Sequence, residues 1–169
     1  MDGKIRREML LEKLKESSQP VSAGALARQL GVSRQIIVGD VALLRSAGEE
    51  IAATPRGYVL QSREEPGLRR QVACRHTARE TGDELYAMVD NGCTVVDVIV
   101  EHPVYGQLTG SLQIRSRYDV DQFVERSQGA SPLSLLTEGV HLHTLLCPDE
   151  EALERVREAL RKLGILFEP

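Results

Sequence analysis

The chain has 169 residues, 41% of them hydrophobic and 4% aromatic, with no tryptophan and a formal net charge of −4. That length holds one large domain or two small ones, each with its own core. No apolar run approaches the roughly 20 residues of a membrane-spanning helix, and so few aromatics give no stacking platform for single-stranded nucleic acid.

A first helix is expected over Ile5–Glu16, where Ile5, Met9, Leu10 and Leu14 recur at helical spacing. Next comes SAGALARQLGVSRQIIVGDVALLR, from Ser22 to Arg45. Ser22 suits an N-cap, Ala25, Leu26 and Leu30 make an apolar face, and Gly31 supplies a left-handed stop. Ser33 caps a second helix in which Ile37, Val41 and Leu44 turn inward. Ser33, Arg34, Gln35 and Val38 are left near its exposed N-terminal end, where a recognition helix meets base edges. Arginine and glutamine make bidentate contacts to guanine and adenine in the major groove. An ordinary helical hairpin carries similar caps, but turn, caps and face here all agree on a DNA-reading pair. Gly48 ends the run, and Ile51 to Leu60 reads as two short strands about a Pro-Arg-Gly turn. Such a basic turn is the wing of a winged helix, with Arg56 near phosphate or a minor groove.

Residues 1–62 carry nine Lys or Arg against seven Asp or Glu, a net of +2; residues 63–169 carry twelve against eighteen, a net of −6. A DNA-binding domain over 1–62 and an acidic partner domain over 68–169 are expected, joined by a polar linker from Ser62 to Gly67. A head of only +2 binds DNA well as one half of a homodimer on two half-sites.

In the second half strands are expected at Gln71–His76, Thr94–Glu101, Gln107–Ile114, Val140–Leu146 and Ile165–Phe167. Helices are expected at Thr81–Asp90, Val120–Ser127 and Glu150–Leu163. This pattern defines an α+β open sandwich whose strand order the sequence leaves open. Cys74, Cys93 and Cys147 are odd in number and lack a CxxC pair, so reduced cysteines and a cytoplasmic protein are expected.

All four histidines lie in this half. His141 and His143 stand two apart in a strand, so both rings leave the same face. His76 closes another strand, and Glu84 follows in the next helix. Three imidazoles and a carboxylate suit a borderline divalent ion such as zinc, nickel, cobalt or iron. Two solvated rings are the plainer reading of His-x-His. Cys74 shares a face with His76, and Cys147 with His141 and His143, so thiolates are alternative ligands and small core residues the plainer reading.

The helix-turn-helix ending in GVSRQIIVGDVALLR is followed by RHT at 75–77, DVIVEHPVYGQLTG at 97–110, SRYDVDQF at 116–123 and HLH at 141–143. This succession resembles the niacin-responsive transcriptional repressors, a winged helix joined to a three-histidine domain. The resemblance implies an HPr-like fold for the second domain. It implies a dimeric bacterial repressor of niacin-uptake and NAD-synthesis genes, with nicotinic acid as co-repressor. It also implies nickel or zinc on His76, Glu84, His141 and His143. His102, in the HPVYG segment, falls outside that ligand set and is expected in the effector pocket, or bonded to the turn that follows it. One departure is Gly39 in the recognition helix, where relatives carry a larger residue; glycine costs such a helix about 1 kcal/mol.

Nicotinate is a small planar anion needing a cation for its carboxylate and a platform for its ring. Arg75 or Arg117 is expected at the carboxylate, and Tyr105 with His102 at the ring. Two rivals are a repressor that senses the metal itself and a metal-dependent hydrolase using an open metal position.

Overall fold

Caps decide where the first three helices begin. Asp2, Ser22 and Ser33 each stand extended and accept a hydrogen bond from a first-turn amide, of Lys4, Ala25 and Ile36 respectively. In the structure, a computed structural model describing residues 2–61 and 65–169, they open α1 (Gly3–Glu16), α2 (Ala23–Leu30) and α3 (Arg34–Ser46). Gly31 ends α2 at φ 66°, the left-handed stop expected of it. Leu10, Leu14, Leu26, Leu30, Ile37, Val41 and Leu44 meet in one core with Ile51. Strands β1 (Ile51–Thr54) and β2 (Gly57–Leu60) form the expected hairpin. It is pinned to the α1–α2 link by reciprocal backbone bonds between Val21 and Tyr58 (2.8 and 2.9 Å). Gly57, at φ 137°, is required there, because a Cβ would lie 2.4 Å from the Val21 carbonyl.

The chain divides into two compact units, Met1–Glu65 and Pro66–Pro169. Residues 62–64 of the expected linker lie outside the described residues. The second unit runs β3 (Leu68–Arg75), α4 (Thr81–Val89), β4 (Thr94–His102), β5 (Gly106–Ile114), α5 (Arg117–Ser127), β6 (Val140–Cys147) and α6 (Glu150–Lys162). Its sheet has the order β3-β6-β4-β5, every neighbouring pair antiparallel. Alternation sends Val72, Cys74, Leu112, Ile114, Leu145 and Cys147 to one face, where they pack with Leu85 and Met88 of α4, Val120 of α5, and Leu153, Val156 and Leu160 of α6. This is the α+β open sandwich expected, now with its strand order.

Four details differ from expectation. β3 starts three residues early, since pairing with β6 carries it to Leu68 opposite Cys147. α5 starts at Arg117, because Ser116 caps it by accepting from the Asp119 amide. The final strand is reduced to one bridge, Cys74 to Leu166, flanked by the bonds Arg75 N–H to Ile165 O and Phe167 N–H to Ala73 O. The expectation of three reduced cysteines is corrected: Cys93 and Cys147 form a disulfide. Thr94 pairs with Leu146, so the next position outward sets the two cysteines opposite each other with Cα atoms 4.4 Å apart, within disulfide reach. Cys74 alone stays a free, buried thiol.

Candidate functional site: a DNA-reading helix and a three-histidine centre

Helix α3 buries Ile37 and Val41 completely and leaves Ser33, Arg34, Gln35 and Val38 exposed. The four residues expected to face DNA therefore share one outward surface with Ile36 and Gly39. Nothing lies within 4 Å of a Cβ built on Gly39, so the glycine answers to no packing demand inside the domain. Arg56 sits at the wing turn, half-buried, its Nη1 donating to Gln19 Oε1 at 3.3 Å.

Sequence reading missed Asp40. It is 3% exposed and accepts from Arg6 Nε at 2.6 Å and Nη2 at 3.1 Å, with Arg7 Nη1 at 3.6 Å, locking α1 to α3. The hydrogen bond to Asp40 raises the Arg6 pKa despite the opposing cost of burial. Asp40 is buried while its arginine partners keep part of their exposure, so Asp40→Asn is expected to lower unfolding stability, read by urea denaturation. A change under about 0.5 kcal/mol would mean that the pair does not brace the head.

In the second unit, the first turn of α4 presents Glu84, 1% exposed, to the covered face of the sheet. Three imidazoles converge on its carboxylate. His76 Nε2 is 2.6 Å from Oε2, and His141 Nε2 and His143 Nε2 are 2.6 and 3.1 Å from Oε1. The His76 and His143 rings each stand edge-on to His141, with centroids 4.8 and 4.9 Å from its own. All four expected metal residues are thus brought to one point, their side chains 2–4% exposed.

The remaining ring nitrogens fix the chemistry. His76 Nδ1 lies 2.5 Å from the Thr77 carbonyl, His141 Nδ1 2.8 Å from that of Gly139, and His143 Nδ1 2.8 Å from that of Asp97. A carbonyl can only accept, so every Nδ1 carries hydrogen and every Nε2 lone pair is free for a ligand when the ring is neutral. A hydrogen bond from Nε2 to Glu84 instead makes each ring a cation. Burial opposes charge on Glu84, yet the imidazoles, His143 foremost, hold its carboxyl well below the usual carboxylate range. Burial likewise works against the His76 and His143 cations, and Glu84 overrides it and raises both. Protonated imidazoles crowded against one carboxylate leave a buried excess of positive charge. A divalent ion on the three lone pairs, sharing Glu84, relieves that crowding, so the donor set fits a transition metal. Asp97, whose carbonyl orients His143 and whose carboxylate accepts from the Thr144 amide at 3.0 Å, was also missed; its signal is a charged residue inside a Val/Ile run.

A cavity of about 550 Å³ opens onto this centre, walled by Leu85, Val98, Leu112, Phe123 and Leu133, with exposed Arg79 on its rim. Among the described residues, Arg79 is the only Lys or Arg in its lining. None of the four expected effector residues lines it. Arg75 stands on the opposite sheet face, because it follows inward Cys74 by one residue. Arg117 is held by Asp90 at 2.6–2.7 Å and covers the Tyr86 ring. His102 Nδ1 accepts from the amides of Val104 and Tyr105 at 3.1 and 3.2 Å, closing the β4–β5 turn, and Tyr105 is 74% exposed. The turn-bonding alternative for His102 is the one realised.

An HTH domain family matches residues 6–59, and the 3H domain family matches residues 69–169. The chain is 47% identical over 165 residues to the probable transcription repressor NiaR of Thermotoga maritima, across 96% of this chain and 94% of that protein. It is 44% identical over 170 residues to the transcription repressor NadR of Bacillus subtilis, across 98% and 94%. A helix-turn-helix head followed by a 3H domain, with repressors as full-length relatives, defines a DNA-binding transcription repressor and not an enzyme. The chain belongs to the niacin-responsive transcriptional repressor family. No described helix is long and apolar enough to cross a membrane.

Proposed function

We propose that this protein is a cytoplasmic, homodimeric repressor of niacin-uptake and NAD-synthesis genes. Its co-repressor is nicotinic acid, and nickel or zinc is held by His76, Glu84, His141 and His143. The observation that carries this reading is the convergence of three Nε2 atoms on Glu84 beside a cavity sized for a small aromatic ligand. When bound, the metal supplies a Lewis acid able to take a carboxylate oxygen or a pyridine nitrogen. The chain does the rest. The carbonyls of Thr77, Gly139 and Asp97 keep the three rings in the ligating tautomer. Phe123 and Leu133 shield a planar ring from water, and Arg79, in place of Arg75 or Arg117, offers the cation for the carboxylate. Co-repression requires only that the ligand favour the DNA-competent state by a few kcal/mol.

The test is a titration of metal-loaded protein onto labelled promoter DNA at fixed salt. Nicotinic acid is expected to tighten binding about tenfold, a coupling of about 1.4 kcal/mol. Specific binding indifferent to nicotinic acid but graded with metal would replace this reading by that of a metal-sensing repressor.

A further inference from the structure

We propose that Cys74 is a fifth ligand of the metal centre, giving it sulfur as well as nitrogen and oxygen donors. The proposal rests on the metal reading above and extends it to a residue outside the three-histidine set. Cys74 in β3 is the register partner of His141 in β6, and cross-strand partners on one face hold their Cβ atoms about 5 Å apart. Its sulfur, a carboxylate oxygen of Glu84 and a ring nitrogen of His141 all lie within 4.8 Å of one another. Two ligands on opposite sides of one ion are about 4.4 Å apart, with metal–sulfur near 2.3 Å and metal–nitrogen near 2.1 Å. The observed spread is within a few tenths of an ångström of that reach.

Cys74 is 0% exposed, packed beside Leu85 and Met88 in the core, and its sulfur stands in the same buried cluster as the Glu84 carboxylate and the His141 ring. The other two cysteines are bonded to each other, so Cys74 is the one free thiol among the described residues. As the ion binds, the thiol proton passes to solvent and a metal–sulfur bond takes its place, with no change of oxidation state. A thiolate added to three imidazoles and a carboxylate favours zinc, cobalt or nickel over magnesium or manganese.

Cobalt(II) titrated into the metal-stripped, full-length protein reads this directly. The expected result is a near-ultraviolet sulfur-to-cobalt charge-transfer band growing with bound cobalt and saturating at one ion per chain. In Cys74→Ser the band disappears, while weaker d–d absorption persists and cobalt affinity drops tenfold or more. The double variant Cys93→Ser/Cys147→Ser keeps the band. Stoichiometric cobalt without the band in the unmodified protein, or a band surviving in Cys74→Ser, overturns the proposal and leaves the four-residue centre standing. Failure of cobalt, nickel and zinc alike to bind overturns the metal reading itself.

Discussion

Replacing His141 and His143 together with alanine is expected to abolish the stoichiometric metal proposed for the purified protein, as read by elemental analysis. Both rings project from one face of β6 with their Nδ1 atoms already bound to carbonyls, so neither can swing to another partner. Loss of one group that merely supports a ligand costs about 10- to 100-fold in metal affinity, and removing two ligands costs more. Stoichiometric metal retained by the double variant would sink the assigned centre. A pH series on the metal-free protein sharpens the test. His76 and His143 are raised in the folded state, so their contribution is complete below their unfolded value of 6.5 and is lost as pH rises through the raised folded values. Glu84 is depressed, so its contribution is present above its ordinary value of 4.5 and is lost only as pH falls through its much lower folded value. The metal-free protein is therefore expected to unfold at lower temperature as pH is raised above 6.5, while metal binding, which releases protons, strengthens over the same range. A metal-free midpoint that rises across this interval would contradict the protonated-imidazole geometry.

The sequence made the head legible because its signals are local. Ser22, Gly31 and Ser33 act within four residues of themselves, and the 3.6-residue repeat of Ile37, Val41 and Leu44 needs no partner to be seen. The candidate metal residues were legible for a related reason. Period two put His141 and His143 on one face, His76 closed another expected strand with Glu84 in the next helix, and the family resemblance named the same four. Non-local features were hidden. Asp40 meets Arg6 across 34 residues, and the Cys93–Cys147 pairing depends on β4 lying beside β6, which the strand order alone reveals. The residues expected at the effector drew notice because HPVYG and SRYDVDQF are conspicuous as motifs, and they lie away from this cavity. His102 spends its ring on a turn and Arg117 on Asp90, whereas the cavity is walled by inconspicuous residues of α4, α5 and the 129–134 segment.

Arg34→Ala and Gln35→Ala are each expected to weaken specific operator binding by about 10- to 100-fold while leaving nicotinic acid and metal binding unchanged. Both side chains stand on the exposed first turn of α3, where Ser33 fixes the helix start and buried Ile37 and Val41 fix its rotation. A good bidentate contact to a base edge discriminates by about 1–3 kcal/mol, which sets that range. The salt dependence separates base reading from phosphate contact. An arginine on a base edge leaves nonspecific affinity nearly intact and relaxes sequence preference at one position. One on phosphate weakens all sequences alike and lowers the salt slope by about one. Arg56 is expected to behave in the second way, since its wing is held against the α1–α2 link and its guanidinium is anchored by Gln19. Gly39 lies five residues beyond Arg34 with open space where a side chain would stand, so α3 can approach the groove closely at that turn. Should both alanine variants bind operator as the parent does, the reading face is not the first turn of α3. Exposed Ile36 and Leu43 would then mark the surfaces to test next.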